Sequence, residues 1–132
     1  MSCLYLSLEQ ILDFHESVIN RYGGTHGIRD RGLLESAIAQ PRQSAFQTDI
    51  YPTLPEKAAA LAFFISENQP FLDGNKRTAA VALVTFLRLN GVDLSASDDE
   101  LCGAIMGLAD KTWDRKAFFG WVAAKTSPPG RD

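Results

Sequence analysis

The chain has 132 residues, 45% of them apolar and 22% charged, with a net charge of −3. These values describe one ordinary globular domain and exclude a broad basic surface for nucleic acid. Its two cysteines, Cys3 and Cys102, fall in no metal-ligand or C-x-x-C spacing and read as free thiols of a reducing compartment, and with no leader pattern or membrane-length apolar run a cytoplasmic location away from membranes is expected.

Ser7 and Gln10 form a capping box at the start of a helix running to Tyr22, with Leu8, Ile11, Leu12, Val18 and Ile19 on its apolar face and Gly23 and Gly24 at its end. His15 on this helix and His26 beyond it have no carboxylate or cysteine at ligand spacing, so both read as surface or satisfied core histidines. Asp30 caps a short second helix with Leu33, Leu34, Ala37 and Ile38 inward, stopped by Pro41. Arg42 to Pro52 holds no period and is expected to be a surface loop or flap whose Phe46, Ile50 and Tyr51 fold back over the body.

Thr53 and Glu56 form a second capping box before the apolar run Ala58 to Ile65, so a helix extends to about Ser66 and is ended by Asn68 and Pro70. Another helix follows the loop and closes on Gly91. Its residues from Ala79 to Leu89 are apolar on nearly every side, interrupted only by Thr85 and Arg88, which places it in the middle of a bundle. Ser97 and Glu100 begin a fifth helix to about Ala109, and Asp114 caps a sixth carrying Phe118, Trp121 and Val122. No stretch alternates at period two. The reading is an all-α, compact bundle of about six helices around a buried central helix, one domain over 1–126 with a disordered tail over 127–132.

The stretch from Asn68 to Asn90, N-Q-P-F-L-D-G-N-K-R-T-A-A-V-A-L-V-T-F-L-R-L-N, places ionic groups where that central helix begins. Unpaired N–H groups and the dipole at a helix start favour an anion, and Gly74 lets the backbone approach it closely. Lys76 offers a point charge and Arg77 a planar fork, both suited to phosphate oxygens. Asp73, the only carboxylate in the loop, suits magnesium held jointly with phosphate. Phe71 is the expected anchor of the loop. D-G-N followed by K-R is equally an ordinary turn and a solvated first helical turn, and the string is not a Walker A loop.

The string N-Q-P-F-L-D-G-N-K-R-T-A resembles the signature loop of the Fic/Doc family, above all its death-on-curing (Doc) toxins. G-I-R-D-R-G-L-L-E-S-A near residue 27, Y-P-T-L-P-E-K-A-A-A at residue 51 and F-L-R-L-N-G at residue 86 look like the same family in the same order, so the likeness covers almost the whole chain. The resemblance implies a helical domain that binds ATP with magnesium and transfers part of the nucleotide to a protein hydroxyl. Asp73 would hold Mg2+, while Gly74, Asn75, Lys76 and Arg77 would hold the phosphates. Members with G-N-G-R transfer AMP, whereas the Doc branch, with G-N-K-R, phosphorylates a threonine of translation factor Tu and stops translation. Lys76 in place of that glycine, and Ala80 where AMP-transferring members carry a further arginine, favour transfer of the γ-phosphate.

The chain departs from the family at Gln69, where the pattern has the general-base histidine. Glutamine accepts no proton near neutral pH, so transfer is expected to be crippled, whether Gln69 is an engineered knock-out or a natural variant. The resemblance also implies a Phd-like antitoxin whose C-terminal segment folds into a groove of the toxin. The alternatives are AMP transfer and a non-catalytic antitoxin-binding module.

Overall fold

A computed structural model describes residues 3–127. Six α-helices make up most of it: α1 (Leu8–Tyr22), α2 (Arg31–Ala39), α3 (Leu54–Asn68), α4 (Asn75–Leu89), α5 (Asp98–Ala109) and α6 (Arg115–Ala124). The all-α bundle expected from the capping pattern is the fold observed. Ser7, Asp30, Thr53, Ser97 and Asp114 each accept a hydrogen bond from the N–H three residues on, satisfying a donor that the helix itself leaves unpaired. The boxes at Ser7 and Ser97 are closed in both directions. At Thr53 only half of the box forms: Glu56 takes the threonine hydroxyl proton at 2.8 Å instead of its main-chain N–H.

The helices α3 and α4 pack closely together at the centre. Ala58, Ala59, Ala60 and Ala62 of α3 and Ala79 and Ala82 of α4 are fully buried, short side chains that suit a close approach of the two backbones, and Leu61, Ile65, Leu83, Phe86 and Leu87 are buried with them. The helices α2 and α6 cover α3, α1 covers α4, and α5 packs on both. Ile105, Phe118 and Val122 close the core.

Helix α4 lies in the middle of the bundle as expected, with one strip left open. Val81 is 37% exposed, because the end of α1 and the start of α5 stand apart and leave a groove of about 550 Å³ along α4; Leu89, the last residue of α4, is 39% exposed. That groove is lined by Arg21, Tyr22, Arg77, Val81, Val84 and Arg88 among others.

The segment after α2 also departs from expectation. Beyond a 3-10 turn at Gln40–Arg42, the strands β1 (Ser44–Ala45) and β2 (Thr48–Asp49) pair antiparallel as a small hairpin. Phe46 and Gln47 at its tip both have positive φ, 52° and 65°, the backbone of a two-residue turn usually signalled by Asn or Gly. Such a turn directs its central side chains off the end of the hairpin, so Phe46 stands fully exposed; Ile50, just after β2, is half exposed. Only Tyr51 folds back, and its hydroxyl accepts from Arg115.

The hairpin is tied down by Lys57, a buried lysine in the first turn of α3. Its Nζ donates to the Pro41 carbonyl at 3.0 Å and to Asp49 at 3.1 Å.

A second short pair, β3 (Asp93–Leu94) with β4 (Thr126–Ser127), holds the chain after α6. The tail boundary placed at 127 thus falls inside a strand, and the expected disorder over 128–132 lies outside the described residues. No helix among the described residues is long and apolar enough to cross a membrane.

Candidate functional site

The loop between α3 and α4 is built by contacts that come mainly from the connector between α1 and α2. The connector runs antiparallel to the loop: Leu72 N–H donates to the Gly27 carbonyl at 3.0 Å, Arg29 and Asp30 N–H both donate to the Pro70 carbonyl at 2.7 and 3.0 Å, and Ile28 bridges to Phe71. Arg29 then caps the end of α3 with its side chain. Nε donates to the Gln69 carbonyl and Nη2 to the Asn68 carbonyl, each at 2.6 Å. Carbonyls at a helix C-terminus lack intrahelical partners, and a guanidinium fork satisfies two of them at once.

Phe71 is 1% exposed, and its ring lies flat on His15, with centroids 3.8 Å apart and 6° between the planes. His15 is itself buried and makes a 2.8 Å hydrogen bond from Nε2 to the Asp73 carbonyl. Since a carbonyl only accepts, the hydrogen sits on Nε2. Of the two histidines, His15 is thus a satisfied core residue that holds the loop, and His26 is exposed.

Both ends of the Asn75 amide close on the backbone of Phe71: Oδ1 accepts from its N–H at 2.9 Å and Nδ2 donates to its carbonyl at 3.0 Å. What Asn75 presents outward is its main-chain N–H. Gly74, the residue before α4, has φ of 77°, and a Cβ there would meet Ile19 of α1 at 3.0 Å. Both the left-handed backbone and the close approach of α1 require glycine.

Of the six helices, α4 alone begins without a side-chain cap. Its first N–H groups are left without the partner that Ser, Thr or Asp supplies elsewhere. Around them stand Asp73, Lys76 and Arg77, all exposed. Asp73 is oriented by two backbone donors, Gly74 N–H to Oδ1 and Thr25 N–H to Oδ2, each at 3.2 Å. A carboxylate has about four lone-pair sites, so two contacts of this kind leave capacity for a cation. Among the described residues neither Lys76 nor Arg77 has a carboxylate within ion-pair distance, so their charge is not neutralised within the fold. The arrangement offers an anion bare main-chain donors and two exposed cations without carboxylate partners among the described residues, with one oriented carboxylate at the side.

Gln69 closes α3 in the left-handed region, at φ 46° and ψ 58°. Its side chain is exposed and makes no hydrogen bond among the described residues, so the amide is free to meet whatever enters beside the loop.

The structure thus brings Gln69, Phe71, Asp73, Gly74, Asn75, Lys76 and Arg77 together at the end of α3 and the start of α4, with Gln69, Asp73, Lys76 and Arg77 exposed, Phe71 buried and the Asn75 amide spent on the backbone of Phe71. Sequence reasoning missed Arg29 and the part played by His15. The spacing of His15 from Ile11, Val18 and Ile19, all buried on α1, marks it as inward-facing; nothing local marks Arg29, whose partners lie about forty positions away.

The Fic/DOC family profile matches residues 5–87, which take in the connector and the whole loop. The chain is 47% identical over 78 residues to Toxin Doc of Mycolicibacterium smegmatis, an alignment covering 59% of this chain and 60% of that protein. It is also 33% identical over 105 residues to Protein kinase doc of Escherichia phage P1, covering 80% of this chain and 82% of that protein. The chain therefore spans less than two thirds of the first relative and about four fifths of the second. With more than half of its length matched to the family, and with all six helices and the loop in place, the chain belongs to the Fic/DOC family.

Proposed function

We propose that this chain is the toxin of a toxin–antitoxin pair and that its loop serves ATP-dependent phosphotransfer to a serine or threonine hydroxyl of a protein, with a threonine of translation factor Tu as the target. The observation that carries this reading is the uncapped start of α4 with Asp73, Lys76 and Arg77 exposed around it. The names of the two relatives, a Doc toxin and a Doc protein kinase, point the same way.

The residues fit ATP and magnesium by their chemistry. The N–H groups of Asn75, Lys76 and Arg77 suit phosphate oxygens, the two cations suit a polyphosphate, and Asp73 suits Mg2+ shared with it. When bound, ATP supplies the phosphoryl group and Mg2+ neutralises its charge. In the transfer the target oxygen would bond to the γ-phosphorus as the bond to ADP breaks, and with no base at Gln69 the hydroxyl proton would pass to solvent water. Lys76 and Arg77 stabilise charge on the phosphoryl oxygens as this occurs. By the family resemblance Gln69 stands where the general base would be, and its amide would orient the hydroxyl without accepting that proton. A loss of roughly 10²- to 10⁴-fold follows from the missing base.

The test is the Gln69→His variant incubated with magnesium, translation factor Tu and ATP labelled at either the α- or the γ-phosphate. Phosphothreonine carrying γ-label is expected, at a rate far above that of the present chain. Transfer of α-label would establish AMP transfer in its place, which Lys76 and Ala80 disfavour. Transfer of neither label would end the enzymatic reading. The partner that silences the toxin is a Phd-like antitoxin. Its C-terminal segment would lie in the groove along α4 and not at the hairpin, where Phe46 forms no wall. A tail peptide that shows no saturable binding in calorimetry would remove that role.

A further inference from the structure

Arg77 is the one loop residue whose side chain leaves the loop and lines the groove along α4. Its guanidinium lies over the ring of Tyr22, 3.9 Å from the centroid. Tyr22 is the last residue of α1. The chain then passes through Gly23 to Gly24, where a Cβ would come within 2.9 Å of the Asp73 carboxylate. The residue that carries this ring thus lies two positions before Gly24, which packs against Asp73, and three before Thr25, which donates to it.

The choice of neighbour matters. Asp98 and Asp99 line the same groove, yet neither is within ion-pair distance of Arg77. A carboxylate would neutralise the guanidinium and occupy its donors. An aromatic face attracts the cation through its quadrupole without accepting a full ion pair, so the charge is not neutralised and the N–H donors are not consumed by a carboxylate. Arg77 is thus held in place with its charge and its donors intact.

We propose that Tyr22 is a positioning residue for Arg77, a platform that presets the guanidinium fork for a polyphosphate at the start of α4. The inference rests on the phosphate-binding reading of the loop. An arginine left free would have to give up rotamer freedom when the anion arrives, and the stack removes part of that loss in advance.

The experiment uses the whole chain. In the protein without nucleotide, NMR should show Arg77 side-chain protons shifted upfield by the ring current, with the shift retained in Tyr22→Phe and lost in Tyr22→Leu. ATP with magnesium is then titrated calorimetrically. Since a cation–π contact at an exposed site is modest, Tyr22→Leu should weaken binding by about two- to fivefold. Tyr22→Phe should bind like the parent, and all three proteins should melt alike.

Losing charge-assisted hydrogen bonds, Arg77→Ala should weaken binding by about tenfold or more, and adding Tyr22→Leu to it should change nothing further. If Arg77→Ala binds normally, the phosphate reading itself fails and the inference goes with it. If Arg77→Ala is weak but Tyr22→Leu binds like the parent, only the positioning role is overturned. An equal loss from Tyr22→Leu with and without Arg77 would overturn it too, as would unshifted Arg77 resonances in the parent protein, a measurement that needs no variant to fold.

Discussion

His15 and Asp73, 58 positions apart, are joined by a 2.8 Å hydrogen bond from the imidazole Nε2 to the main-chain carbonyl. The bond fixes the backbone of the one acidic residue in the loop from the inside of the fold. The same ring supports Phe71 from below. His15→Leu removes both, leaving the part-buried Asp73 carbonyl without its partner, and is expected to cost about 1–2 kcal/mol. His15→Phe keeps a stacking ring and should cost less. Urea denaturation gives the two costs, and faster amide hydrogen exchange at Phe71 to Gly74 should accompany them. Parent-like exchange in His15→Leu would show that the loop holds its shape without the histidine.

Arg29 caps α3 through two carbonyls, those of Asn68 and Gln69. Arg29→Ala should lower stability by about 1–2 kcal/mol, a range set by charged hydrogen bonds at a site that water can reach. A lysine is a point charge without a fork, so Arg29→Lys should recover less than half of the loss. Thermal unfolding of the three proteins checks this, and full recovery by lysine would show that charge alone matters.

Gln69 sits at φ 46°, where a side chain is strained and glycine is not. Gln69→Gly should therefore stabilise the fold by about 0.5–1 kcal/mol. Gln69→His, which keeps a Cβ in the same backbone, should leave stability close to the parent. A denaturation midpoint for Gln69→Gly at or below the parent's would show that the end of α3 carries no such strain.

Burial of Lys57 by itself pulls its pKa down. The hydrogen bond that Lys57 donates to Asp49, with the electrostatic contributions of Tyr5 and Asp49, outweighs burial and leaves the pKa above the ordinary lysine value. A raised folded pKa means that the stabilisation is complete below the unfolded pKa, 10.5, and is lost as pH rises through the folded value. Asp49→Asn should bring the alkaline loss of stability to lower pH. The effect at neutral pH should stay below about 1 kcal/mol, because Asp49 is half exposed and well solvated. Denaturation midpoints across the alkaline range test this, and an unchanged alkaline limb in the variant would count against the pair.

What the sequence made legible was local. The caps at Ser7, Asp30, Ser97 and Asp114 and the stop at Gly91 are signals carried by residues three or four apart, and the helices start and end where those signals lie. The loop could be read because its polar residues are consecutive. What was not legible depends on distant pairing. Arg29 reads as one more charged residue until α3 is folded beside it. Phe46 reads as a core aromatic because the turn that throws it outward is built from Phe46 and Gln47, which carry no turn signal. The groove beside Val81 is a space between α1 and α5, and no single helix encodes a space.

Both ends of the described chain converge on the far end of α4. The Asn90 amide accepts from Leu4 N–H and donates to its carbonyl, and Asp93 and Leu94 pair with Ser127 and Thr126. The length of α4, fifteen residues or about 22 Å, separates this junction from Gly74. A fluorophore, affinity handle or surface tether attached outside Leu4 or Ser127 would stand a full helix away from the loop, leaving its mouth open to solvent.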